Sequence, residues 1–213
     1  MNFDDFIKKF GKLPVFESEI LLSGVQDSRP VKVQICRWVK TGKLVQLRRG
    51  IYALSKAYRK IEIYEPAIAA VLKKPSYISL EKALEYHGLI PEAVARYTCV
   101  TTKRPGKFET EAGTFVYRHI KNSLFWGYSS LTVNQQTAFM ANPEKALLDY
   151  FYLNGGTGIT RGYLQEMRFQ NFEKIIPERL AGYAQKFQSP GMTRVAGLLA
   201  RYREEYLQGV KQL

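Results

Sequence analysis

Between positions 29 and 60 the chain carries Arg29, Lys32, Arg37, Lys40, Lys43, Arg48, Arg49, Lys56, Arg59 and Lys60, and no acidic residue. A solvated surface usually mixes both signs, so a one-signed run of this length points to a face that binds a polyanion. The whole chain shares the bias, with 32 Lys and Arg against 19 Asp and Glu and a formal net charge of +13 over 213 residues. Nucleic acid and an anionic membrane are the partners such an excess fits. Covalent chemistry has less to work with. His87 and His119 have no Cys or carboxylate beside them at ligand spacing, so neither a metal nor a cofactor is expected. Gly155-Gly156-Thr157-Gly158 lacks the Lys-Ser/Thr ending of a phosphate loop and follows a helical pattern instead of a strand. Glu144 sits in the first turn of that helix with Asp149 five residues on, a spacing that suits structural roles better than an acid/base pair. Cys99 lies in a strand pattern with no neighbouring base and reads as a buried, inert thiol. No catalytic residue is expected, and the chain does not read as an enzyme.

The elements that must position the basic residues are punctuated clearly. Phe3, Phe6, Ile7 and Phe10 recur at helical spacing behind Asn2 as cap, and Gly11 stops them. Residues 15–22, opened by Pro14, read as a second short helix, with a turn over 24–27. The third helix, over 28–41, has Ser28 or Asp27 as cap, Pro30 in its first turn and Gly42 as its stop. At 100° per residue, Val31, Ile35, Trp38 and Val39 fall on one face. Arg29, Val33, Cys36, Arg37 and Lys40 fall opposite, flanked by Lys32 and Gln34. That second face has what a major-groove helix needs: guanidinium and amide groups for base edges, short side chains for close approach, and lysines near phosphates. Two short strands, 43–47 and 51–54, then flank Arg48-Arg49-Gly50, which places both arginines at a hairpin tip, where a wing would touch backbone phosphates or enter the minor groove. The expected DNA-binding residues are therefore Arg29, Lys32, Val33, Gln34, Arg37, Lys40, Lys43, Arg48 and Arg49. Helix, glycine and basic hairpin in that order read as a winged helix-turn-helix.

Beyond it, Glu65-Pro66 opens a short apolar helix that ends before Pro75, and Ser79 caps another over 80–87 stopped by Gly88. The period then changes to two, giving strands at 97–101, 114–119, 131–133 and 137–140 and hence a small antiparallel sheet. Asn142 caps a helix over 143–153, and three helical segments follow, over 161–168, 172–187 with Pro177 limiting it, and 192–210. The expected fold class is α+β: an N-terminal winged helix-turn-helix over 1–58, then a larger α+β domain over 59–213 with C-terminal helices. No apolar run approaches a membrane span, MNFDDFIKKF has no signal-peptide core, and two cysteines are too few for a disulfide framework. A cytoplasmic setting without membrane association is the expectation.

Three motifs in order, Lys43-Leu-Val-Gln-Leu-Arg-Arg-Gly-Ile-Tyr-Ala-Leu54, then Pro75-Ser-Tyr-Ile-Ser-Leu-Glu-Lys-Ala-Leu84 with His87-Gly-Leu-Ile-Pro91, then Ala141-Asn-Pro-Glu-Lys-Ala-Leu-Leu-Asp149, resemble the AbiEi family of antitoxins. The resemblance implies an antitoxin of a type IV, abortive-infection toxin–antitoxin pair. Its winged helix would repress the operon's own promoter, a double-stranded DNA partner. Its C-terminal domain would counteract a nucleotidyltransferase-like toxin, with or without direct contact. By the same resemblance the functional basic residues are Arg29, Lys32, Arg37, Lys40, Arg48 and Arg49, while Tyr77, Leu80, Ala83, Leu84, Ala146 and Leu147 have packing spacing and Ser79, Asn142, Pro143 and Glu144 occupy capping positions. The alternative is a winged-helix transcriptional regulator whose C-terminal domain senses a ligand or partner, without a toxin. A third class, an RNA-binding or nuclease-associated enzyme, lacks a catalytic constellation.

Overall fold

The computed structural model of the chain describes residues 2–23, 26–155 and 158–210. Gly24 and Val25 of the expected turn, and Gly156 and Thr157 of the expected loop, lie outside them. The first part runs α1 (Phe3–Phe10), β1 (Val15–Glu17), α2 (Ser18–Leu22), α3 (Arg29–Lys40), β2 (Leu44–Arg48) and β3 (Ile51–Leu54). Asn2 caps α1, its side-chain oxygen accepting the Asp5 N–H at 2.7 Å. The helix expected over 15–22 is instead a strand followed by a helix of five residues. Val15, Phe16 and Glu17 pair antiparallel with Ala53, Tyr52 and Ile51, giving a sheet in the order β1-β3-β2. Tertiary pairing overrides the helical spacing here, because alternation lets successive residues serve two different cores.

Both faces of this sheet are covered. Phe16, Leu44 and Leu54 pack with Phe3, Phe6, Leu21, Ile35 and Trp38 under α1 and α3. Leu47, Ile51 and Ala53 point the other way, into the core of the larger part. The chain turns away at Tyr58–Arg59, where the expected boundary falls, yet residues before that turn already belong to the second core.

The larger part contains α4 (Glu65–Leu72), β4 (Ser76–Ile78), α5 (Leu80–Tyr86), β5 (Arg96–Thr101), β6 (Gly106–Thr110) and β7 (Gly113–His119). It continues with β8 (Tyr128–Val133), β9 (Gln136–Ala141), α6 (Pro143–Leu153), α7 (Arg161–Glu166), α8 (Pro177–Lys186) and α9 (Pro190–Val210). Its sheet is six-stranded and mixed, in the order β6-β7-β5-β4-β9-β8, in place of the small antiparallel sheet expected. Two strands escaped the sequence reading. β4 is buried at all three residues and so shows no alternation, and β6 is the partly exposed outer strand of a hairpin. The second strand of that hairpin, β7, meets β5 and runs parallel to it, and β4 pairs parallel with β9 at Ile78 and Met140. The helix expected over 172–187 is interrupted at Ile175 and Ile176, and α8 begins at Pro177. No helix among the described residues is long and apolar enough to cross a membrane.

Ser79 and Asn142 stand at the N-caps of α5 and α6 and Glu144 in the first turn of α6, but neither cap side chain bonds the helix, and all three side chains make longer-range bonds. The Ser79 hydroxyl donates to Asp149 Oδ2 at 2.8 Å, and the Tyr77 hydroxyl donates to the same oxygen at 2.9 Å. Lys145, one helical turn before Asp149, pairs with its other oxygen, and both side chains are fully buried. The Lys145 ammonium also lies over the rings of Tyr77, Trp126 and Phe187. Burial pushes the Asp149 carboxyl up and the Lys145 ammonium down, so each needs the other to stay charged. Asn142 donates to the Tyr183 hydroxyl, and buried Glu144 accepts the Ile176 N–H at 2.9 Å where α8 starts. These bonds fasten β4, α6 and α8 to one another.

His87 follows α5, with Nε2 2.7 Å from the Ala141 carbonyl oxygen. Burial holds its pKa below the usual 6.5, so the folded protein favours the neutral ring donating from Nε2. A depressed folded pKa means the unfolded chain binds more protons, so this stability is present above the unfolded pKa and lost as pH falls through the folded one. Thermal midpoints of the parent should therefore fall more steeply below about pH 6.5 than those of His87→Gln. Parallel pH profiles would remove His87 from this role.

Candidate nucleic-acid interface

The α3 helix is fixed to the chain by its apolar stripe. Ile35 and Trp38 are 2% and 4% exposed, with Val31 and Val39 packed beside them, and Trp38 lies 4.9 Å from the Phe6 ring centroid to centroid. A fully buried Leu- or Phe-sized side chain contributes about 1.5–3 kcal/mol, so these contacts set the rotation of the helix. Gly42, at φ +68°, ends it in a conformation that favours glycine, and the Thr41 hydroxyl donates to the Arg37 carbonyl at 3.0 Å.

Rotation fixed in this way leaves Arg29, Lys32, Val33, Cys36, Arg37 and Lys40 exposed on the opposite face. At the N-terminal end the Asp27 carboxylate, not the Ser28 hydroxyl, receives the Arg29 N–H at 3.0 Å and the Arg29 Nε–H at 3.1 Å. Arg29 in turn holds the Asp27 carboxyl below its usual range. Among the described residues no carboxylate lies within 4.0 Å of the charged groups of Lys32, Arg37, Lys40 or Arg49. The face is cationic, with Val33 and Cys36 as short side chains between the long ones. It can enter a groove and neutralise phosphates on both sides.

The remaining expected residues are placed differently. Gln34 is half-buried on the flank. The Lys43 ammonium sits 4.5 Å above the Phe3 ring, which ties it to α1. Arg48 ends β2 and is not at the hairpin tip. Its Nη1 donates to the Leu72 carbonyl oxygen, and its guanidinium lies 5.1 Å from the Phe108 ring centroid. Lys73 stands over the same ring, and its own burial followed by the charge of Arg48 lowers its pKa. The tip itself is Arg49-Gly50, with Gly50 at φ +82° and its carbonyl accepting the Ser18 N–H at 2.8 Å.

This separates two arginines that look equivalent in sequence. Arg49→Ala should weaken binding to all duplexes alike and flatten the slope of log affinity against log salt by about 0.9, the value for one phosphate contact. Arg48→Ala should instead lower the unfolding midpoint, since it removes a charged hydrogen bond between the hairpin and α4. A salt slope unchanged by Arg49→Ala would take the hairpin tip out of the interface.

Other groups with chemical potential are held by backbone. His119 Nδ1 lies 3.1 Å from the Lys103 carbonyl oxygen, and burial pushes the Cys99 thiol pKa up. Among the described residues no group of three or more His, Cys, Asp or Glu could hold a metal ion. The sequence reading passed over Lys145. Its signal was a lysine four residues before Asp149 on a helix otherwise lined with Ala146, Leu147, Leu148 and Phe151. No protein-family model and no curated protein matches this chain.

Proposed function

We propose that the chain is a sequence-specific double-stranded-DNA-binding antitoxin that represses its own operon. The observation that carries this reading is the α3 face, where Arg29, Lys32, Arg37 and Lys40 are exposed together while Ile35 and Trp38 anchor the helix from behind. The order helix, strand, helix, helix, strand, strand, with the first strand closing on the last, supports a winged helix in which α3 reads bases and the β2–β3 hairpin is the wing. In this reading Arg37 and Arg29 offer bidentate donors to base edges, Lys32 and Lys40 meet phosphates, and Arg49 meets the backbone from the wing.

The antitoxin half rests on the three motifs that resemble the AbiEi family, and it makes a nucleotidyltransferase-like protein the functional partner. Its test is growth: co-expression of a nucleotidyltransferase-like neighbouring gene should arrest cells, and this chain should relieve the arrest. The same arrest with and without the chain would leave a DNA-binding regulator and no antitoxin. The DNA-binding half is tested by comparing the DNA upstream of the gene with a scrambled duplex.

A further inference from the structure

The six-stranded sheet ends in two unlike edges, β6 and β8. β6 carries Lys107 and Glu109, paired with each other, and the Arg48 guanidinium lies against its Phe108 ring. β8, Tyr-Ser-Ser-Leu-Thr-Val over 128–133, has no charge, no proline and no bulge, and it pairs with β9 in unbroken register. Charge, proline and bulge are the devices that protect an open edge, which otherwise offers a row of free N–H and C=O groups to another strand. Ser129, Ser130, Thr132 and Val133 are exposed, and no strand among the described residues pairs with the outer side of β8.

Turn geometry decides which main-chain groups are free. Asn134 and Gln135, both at positive φ, join β8 to β9 as a two-residue turn closed by Val133 and Gln136. The closing pair of such a turn exchanges main-chain bonds, so Val133, Leu131 and Ser129 bond β9, and the alternate residues Thr132, Ser130 and Tyr128 turn their N–H and C=O groups outward. These three are symmetric about Ser130. Antiparallel pairing with a second β8 across a two-fold axis at Ser130 sets Ser130 against Ser130 and Tyr128 against Thr132, and every outward group finds a partner. Opposed residues then share a face, so the two sheets continue as one, and the cross-strand pairs, hydroxyl with hydroxyl and aromatic with β-branched, are favourable ones.

We infer that β8 is the interface between two copies of this chain, whose sheets join edge to edge in a closed, isologous dimer. Charge selects the occupant. From Asn122 to Pro143 the sequence has no Asp, Glu, Lys, Arg or His, its longest such run, although the chain as a whole carries +13. Two copies repel wherever their basic surfaces meet, and this strip lets them touch with no like charges opposed. An acidic partner finds nothing on the strip to pair with. The consequence, two α3 helices presented by one assembly, rests on the DNA-binding reading; the dimer itself does not.

Sedimentation equilibrium of the full chain without DNA, from about 1 to about 200 μM, therefore tests the interface separately. The parent should pass from monomer to dimer in this range with no larger species. Added salt should leave the dimer level or tighten it by screening the repulsion between copies, the opposite of its effect on DNA binding. Ser130→Pro removes an outward N–H and spares the bonds to β9, and Ser130→Lys sets two like charges face to face; each should weaken the dimer by about tenfold or more. Lys107→Ser, on the other edge, should leave it unchanged. Thermal midpoints measured at monomeric dilution should match the parent's for Ser130→Lys, which carries the test where proline disturbs β8. A monomer throughout the range would overturn the interface. So would a dimer that Ser130→Lys leaves at full strength, or one that Lys107→Ser weakens equally.

Discussion

Asp149→Asn should cost about 3–5 kcal/mol of folding stability, measured by urea denaturation, without any change at the α3 face. Asparagine keeps an acceptor for the Tyr77 and Ser79 hydroxyls but leaves the Lys145 ammonium fully buried among Tyr77, Trp126 and Phe187 with no counter-charge. A loss of that size is a large share of the 5–15 kcal/mol that typically holds a domain together, so the urea midpoint should fall far below that of the parent. Adding Lys145→Met to Asp149→Asn removes the orphaned charge and should recover most of the loss, because a buried pair is worth little net against apolar packing of similar volume. A single variant within about 1 kcal/mol of the parent, or a double variant no better than the single, would mean that Lys145 and Asp149 do not depend on one another.

Arg37→Ala should cost about 1–3 kcal/mol in binding to the operator and relax base preference at the position it reads. Its unfolding midpoint should stay near that of the parent, since the side chain is exposed and no carboxylate among the described residues pairs with it. Lys32→Ala and Lys40→Ala should behave differently, lowering affinity for operator and scrambled duplex equally and each reducing the salt slope by about 0.9. Anisotropy titrations of the three variants against both duplexes separate these patterns. If Arg37→Ala weakens both duplexes by the same factor, Arg37 contacts phosphate and the base-reading role passes to Arg29.

The α3 helix was legible because every level of its sequence agrees: punctuation by Pro30 and Gly42, and a stripe of Val31, Ile35, Trp38 and Val39 opposed by basic residues. Residues 15–17 were not, because their strand exists only through pairing with β3, and Phe16 at helical spacing from Glu19 and Ile20 imitates a helix. β4 was hidden by its burial on both faces. Arg48 and Arg49 illustrate a further limit: adjacent in sequence and alike in chemistry, they part company through the Leu72 carbonyl and the Phe108 ring, which lie far along the chain. The buried pair was half legible, since Lys145 and Asp149 share a face of an apolar helix, but Tyr77 and Ser79 join them only through the fold.

The most direct test of the α3 face as a base-reading surface is fluorescence-anisotropy binding of the full chain to the DNA upstream of its own gene and to a scrambled duplex of equal length, across a salt series. The upstream duplex should bind about three orders of magnitude more tightly at physiological salt, the margin typical of specific readers. Equal affinities that fall together with salt would mean that the net charge of +13 supplies only counterion release, and would contradict sequence-specific recognition by α3.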